Sequence, residues 1–241
     1  QALTNTQVGS LSTTNVAALG SSQLNALKAA QITSFTTTQV NSISTGTLSA
    51  IKGSQVAMLS SAQVAAITTD RVASLTTAQI ASLTTDQIVG LITAQLASLA
   101  TDRIAILTVS QISAIETRDL AGLSTSQVAA MGVNQVKALS ANQLKALSTD
   151  QIKAIETADL AGMTATQISS LTTAQVKVLS TSQLNALTPT GLNALSDSQL
   201  QALTTTQVNS LSSANTAKLK STQVSVLSTA QVAALSTDQV A

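Results

Sequence analysis

Cysteine, histidine, tryptophan and tyrosine are absent from this chain, and Phe35 is its only aromatic residue. Without cysteine there are no disulfide staples or thiolate metal sites, and without histidine the commonest metal ligand and general base is missing. Most catalytic schemes lose their central residue at once, so no enzyme, no cofactor and no catalytic or metal-binding residue is expected. A globular core in 241 residues would normally hold several large aromatic anchors; this interior must be built from Leu, Ile, Val and Ala. Charge is scarce too, with a formal net of +1. Such a chain offers neither a basic stripe for a phosphate backbone nor an aromatic platform for stacked bases, which excludes nucleic acid as an expected partner. Mean hydropathy is positive, but Ser, Thr and Gln interrupt every apolar stretch long before it reaches bilayer-spanning length, so this segment is not expected to insert into a membrane.

What is present is a repeat. From Leu3 onward a large apolar residue recurs every eighth position, through Leu11, Leu19, Leu27, Phe35, Ile43 and on to Leu235, with no insertion or deletion. With the octad lettered a to h from that residue, f is Val, Ile or Leu from Val8 to Val240, Thr216 being the one exception. Position e is usually Gln, b mostly Ser or Thr, and h mostly Ala, Ser or Gly. The array covers 1–241 as a single continuous solenoid, and it starts and stops in mid-unit without an initiator Met. It is therefore expected to continue in a longer polypeptide or to stack end to end with further copies.

Each octad carries its own helix start signal. Ser or Thr at b followed by Gln at e has capping-box spacing, which makes b the N-cap and e the third helical residue. The apolar residues at a and f then occupy the two positions of a hydrophobic staple. The lone proline, Pro189, falls at c, the first helical position, where a missing N–H costs nothing. Acidic residues such as Asp70, Asp102, Glu116 and Asp159 lie between b and e, near the positive helix terminus, while Lys137, Lys145, Lys153 and Lys177 lie at g near the opposite end.

These signals predict an all-α solenoid of short capped helices, one per octad. A continuous helix fails because eight residues advance about 800°, leaving the apolar stripe to drift by about 80° per unit. A β-solenoid is the alternative fold; against it, a and f have opposite parity in a strand, and Gly and Asn are scarce for so many tight turns. Helices this short survive only by stacking, which buries a and f in an axial core while small h residues let backbones approach. The bulky exceptions at h, Met58, Ile106, Val178 and Val226, are separated by multiples of 24 residues, which points to three octads per superhelical turn.

Several residues invite a functional reading. Glu116 with Asp119, and Glu156 with Asp159, recur in near-identical octads, and paired carboxylates can serve acid–base or cation-binding chemistry. Their positions and the lack of a third ligand assign them instead to helix capping. Arg71 and Arg103 replace Gln at e beside Asp70 and Asp102 and read as solvated surface pairs of little energetic weight. The Lys residues at g read as exposed charges, the b hydroxyls as caps, and Met58, Met131 and Met163 as apolar filler.

The octads Leu-Ser-Thr-Ala-Gln-Val-Ala-Ala (227–234) and Leu-Thr-Thr-Ala-Gln-Ile-Ala-Ser (75–82) resemble repeat regions of very large bacterial surface proteins, often labelled adhesion or heme-utilisation proteins. The resemblance spans the chain and implies an extracellular or cell-surface stalk or fibre; its heme aspect finds no histidine here to act as axial ligand. The function expected is thus a structural fibre for adhesion, cell–cell connection or surface coating, partnered by itself and by cell surfaces. The alternative is a protein-binding α-solenoid scaffold, whose groove would carry aromatic or charged anchors.

Overall fold

The computed structural model describes residues 3–240. Among them are thirty short helices, of four to six residues each, and no strand, so the helical solenoid holds and the β-solenoid does not. Packing divides the chain into two compact units, Gln1–Leu123 and Ser124–Ala241. Each repeats the same construction.

One octad shows why the sequence folds this way locally. In Thr77–Ser82 the N-cap Thr76 is extended (φ −71°, ψ 162°), its hydroxyl accepts the Gln79 N–H, and the Gln79 side chain accepts the Thr76 N–H in return. Leu83, at the next a, is extended again (φ −59°, ψ 136°) and closes the helix by donating its N–H to the Ile80 carbonyl at 3.2 Å. The extended a–b pair is thus both the end of one helix and the start of the next, which is how a repeat of eight residues makes a corner. Pro189 occupies the first helical position as its missing N–H requires. Where b carries no hydroxyl, as at Gly20, Ile92 and Gly132, the glutamine half of the box persists alone, at 2.8 to 2.9 Å.

Each helix packs on the third one along. In the first unit Thr13–Ala17 meets Thr37–Ser42, and Ser61–Ala66 meets Thr85–Gly90; in the second, Thr125–Ala129 meets Thr149–Ala154, and Thr173–Lys177 meets Asp197–Ala202. Three octads therefore make one turn. The f side chains fill the axis: Val72, Ile80, Leu96, Leu144 and Leu184 are all but inaccessible. The a side chains seal the corners, and most e glutamines are buried beside them. A single-turn helix cannot persist alone. Burying two aliphatic side chains per octad, at about 1.5–3 kcal/mol each, is what offsets the cost of ordering it.

Candidate functional site

The most distinctive chemistry in both units is a ladder of buried glutamines. Gln79 is 1% exposed. Its Oε1 accepts the Thr76 N–H at 2.9 Å, closing its own capping box, while its Nε2 donates to the carbonyls of Leu48 at 2.7 Å and Ile51 at 2.8 Å. Those carbonyls belong to the f and a residues of the turn beneath, where a helix ends and its last oxygens lack an intrahelical partner. One amide thereby starts its own helix and ends another one turn away. Gln87 treats Val56 and Leu59 the same way at 2.9 and 2.7 Å, and in the second unit Gln175 binds Leu144 and Leu147, both at 2.8 Å. Only a side chain with an acceptor and two donors on one planar head can do this, which explains why e is glutamine and not glutamate.

Substitutions at e show what else can stand in the ladder. Arg71 directs Nε to the Ile43 carbonyl at 3.0 Å and Nη1 to the Thr68 hydroxyl at 3.2 Å, and Arg103 directs Nε to the Leu75 carbonyl at 3.4 Å. The reading of these arginines as solvated surface residues is therefore corrected: each guanidinium is half-buried and replaces the glutamine amide across turns. Arg103 also pairs with Asp102 at 2.5 Å, and that hydrogen bond holds the Asp102 carboxyl below its ordinary value.

The acidic pairs are brought together, but not as caps. Glu116 and Glu156 stand at N-cap positions without accepting a cap hydrogen bond. Asp119 is buried at e, where its Oδ1 accepts the Thr93 hydroxyl at 2.5 Å and lies 3.4 Å from Arg118 Nε; Arg118 also reaches Glu116 at 3.0 Å. Asp159 is buried at the same position of its own octad. Among the described residues no group of three or more His, Cys, Asp or Glu is placed to hold a metal ion. Met131 and Met163 fill a positions of the core, Met58 is half-buried, and Lys137, Lys145, Lys153 and Lys177 are exposed, with Lys153 3.4 Å from Asp150.

A second set of side chains escaped the sequence reading. Asn at g latches one turn to the next. Asn185 donates to the Ser210 carbonyl at 2.7 Å and accepts the Ser212 N–H at 2.8 Å. Asn41 does the same with Ala66 and with Thr68, the latter at 3.2 Å. Ser212 and Thr68 are the N-caps of octads whose e residue, Asn215 or Arg71, does not accept the N-cap N–H, so the latch supplies the missing acceptor. The signal was present as a pairing, Asn at g thirty residues before a departure from Gln at e. Asn25 marks the competition: it takes the Lys52 N–H at 2.8 Å, and the Gln55 Oε1 that would otherwise accept it is left without a partner.

Comparison with known families agrees with this octad chemistry. The model of the ALTTAQ repeat matches residues 56–93, 112–149, 152–189, 183–213 and 216–241, well over half of the chain. The chain belongs to the ALTTAQ repeat family. The name restates the ladder's components, for in the ALTTAQ repeat the Leu is a, the first Thr is the N-cap b, and the Gln is e. No curated protein matches the sequence.

Proposed function

We propose that this ALTTAQ array is a structural, non-enzymatic stalk or fibre segment outside a bacterial cell, serving adhesion, cell–cell connection or surface coating through its length and self-association. The observation that carries the reading is the translational complementarity of a turn. One side of every turn offers glutamine amides and a side chains, and the other offers f side chains and the carbonyls those amides bind. In the first described turn Gln7 and Gln23 are exposed and Leu3 is 45% exposed; in the last, Val224, Val232 and Val240 are exposed. These are the groups that any cut through the ladder uncovers. Successive turns within each unit meet through these matching faces, and a contact of this head-to-tail kind does not close on itself.

The extracellular placement draws its support from the resemblance of octads 75–82 and 227–234 to bacterial surface repeats, and from a surface free of oxidisable cysteine. No helix among the described residues is long and apolar enough to cross a membrane. Electron microscopy of the native product tests the proposal: thin filaments or cell-attached fibres are expected, whereas discrete complexes with an unrelated protein would favour the scaffold alternative and refute the fibre.

A further inference from the structure

The octads 115–122 and 155–162 both read Ile-Glu-Thr-x-Asp-Leu-Ala-Gly and differ only at d, Arg118 in one and Ala158 in the other. Both put Asp at e, where the ladder has Gln, and both put Gly at h. The glycines have a shared reason. A Cβ on Gly122 would overlap the Thr93 Cγ2, and a Cβ on Gly162 would overlap the Val133 Cγ2. The two sites are therefore built alike, with Thr93 beside one aspartate and Val133 in the equivalent place beside the other.

That single change removes a donor. Asp119 has the Thr93 hydroxyl at 2.5 Å and Arg118 at 3.4 Å. Asp159 is only 8% exposed and, with Val133 and Ala158 in those places, its carboxylate makes no hydrogen bond or ion pair among the described residues, the hydrogen bonds of Asp159 being those of its backbone to Glu156 and Gly162. The helix Thr157–Ala161 packs on Val133–Ala138 and Thr181–Ala186. The first brings Lys137, whose stem lies beside Gly162 but whose ammonium forms no ion pair among the described residues, and the second brings no charged residue. On its own element Asp159 has Glu156, of like charge, and in the preceding octad Asp150 and Lys153 engage each other. In the register that Gln167 and Gln175 show, the carbonyls that a glutamine at position 159 would bind are those of Val128 and Met131.

We propose that Asp159 is a proton-operated joint: protonated, its O–H supplies the donor that glutamine supplies in other octads, and ionised, it leaves a largely buried carboxylate with no protein donor, which loosens Thr157–Ala161 from the turn beneath. Burial, and then the charge of Glu156, push the Asp159 carboxyl above its ordinary value of 3.8. A raised value in the folded state means that folding binds the proton more tightly. The stabilisation is complete below the ordinary value and is lost as pH rises through the raised one.

The test is amide hydrogen exchange on the full chain, comparing wild type with Asp159→Asn, which carries a permanent donor, at each pH from 3.5 to 7.5. The ratio of wild-type to variant protection in residues 131–138 and 155–162 is expected to fall by up to about tenfold per pH unit between the two values and then level off. Val133→Thr, which recreates the Thr93 hydroxyl, should shrink that fall, and the carbon-13 signal of the Asp159 carboxyl should move its titration to lower pH in the same variant. A ratio independent of pH, an Asp159 signal titrating at or below the ordinary aspartate value in wild type, or a Val133→Thr profile identical to wild type would each overturn the proposal.

Discussion

Replacing Gln79 by leucine removes the amide while keeping the approximate size of the side chain. Three hydrogen bonds disappear, from Thr76 N and to the Leu48 and Ile51 carbonyls. At about 0.5–1.5 kcal/mol net for each, the loss is about 2–4 kcal/mol, because two of the orphaned groups are buried oxygens that water cannot reach. Leucine returns about 1 kcal/mol through its extra apolar surface. The net local destabilisation is thus about 1–3 kcal/mol, or roughly 5- to 150-fold faster exchange of protected amides at 25 °C. Local exchange is the right assay because a repeat array loses stability turn by turn, and a single melting temperature would average the defect away. The acceleration should appear in octads 43–50 and 75–82 and fade in distant turns. Gln79→Glu sharpens the argument: it keeps the acceptor for Thr76 N but aims a second oxygen at two carbonyls, so at pH 7.5 it should destabilise more than leucine, and at pH 4 it should recover part of the loss as the carboxyl protonates. The control is Thr77→Ala, an exposed residue of the same helix, which should change stability by less than about 0.5 kcal/mol. If Gln79→Leu exchanges no faster than Thr77→Ala, the ladder is not what joins the turns.

Three further substitutions probe other parts of the packing. Gly122→Ala forces a methyl into the Thr93 Cγ2, which its hydroxyl bond to Asp119 holds in place, and should cost about 1–3 kcal/mol measured by exchange in octads 91–98 and 115–122. Asn185→Ala removes the latch to Ser210 and Ser212 and should weaken that junction by about 1–2 kcal/mol, while Asn185→Asp should keep the Ser212 contact and lose only the Ser210 one. Thr216, the only polar f residue, is half-buried and lines a cavity with Leu203, Val208, Leu211 and Leu219, its hydroxyl donating to the Ser212 carbonyl at 3.1 Å; Thr216→Val exchanges that bond for apolar surface and should slow amide exchange in octad 211–218 by the equivalent of about 0.5–1 kcal/mol.

How much of this was legible beforehand depends on the distance over which each signal acts. The hydroxyl of Thr76, the amide of Gln79 and the apolar pair Leu75 and Ile80 act on one another within a few residues, so capping and staple geometry could be read from spacing alone. The rhythm of bulky h residues carried the superhelical count of three, which the packing of each helix on the third along bears out. By contrast, the second task of Gln79 is performed on backbone carbonyls, which every residue possesses, so its partners leave no mark in the side-chain pattern.

The sequence by itself determined where each helix starts, which residue turns each corner and which two side chains of every octad enter the core, because capping and amphipathic spacing are interactions between near neighbours. Only the tertiary structure decided that Gln79 spans two turns, that Arg71 replaces it without becoming a surface charge, and that Thr93 satisfies Asp119 while Val133 leaves Asp159 unsatisfied. The pairs involved lie 26 to 31 residues apart. They meet because three corners return the chain to the same side of the axis, one turn along, and that return is a property of the stacked turns within each unit.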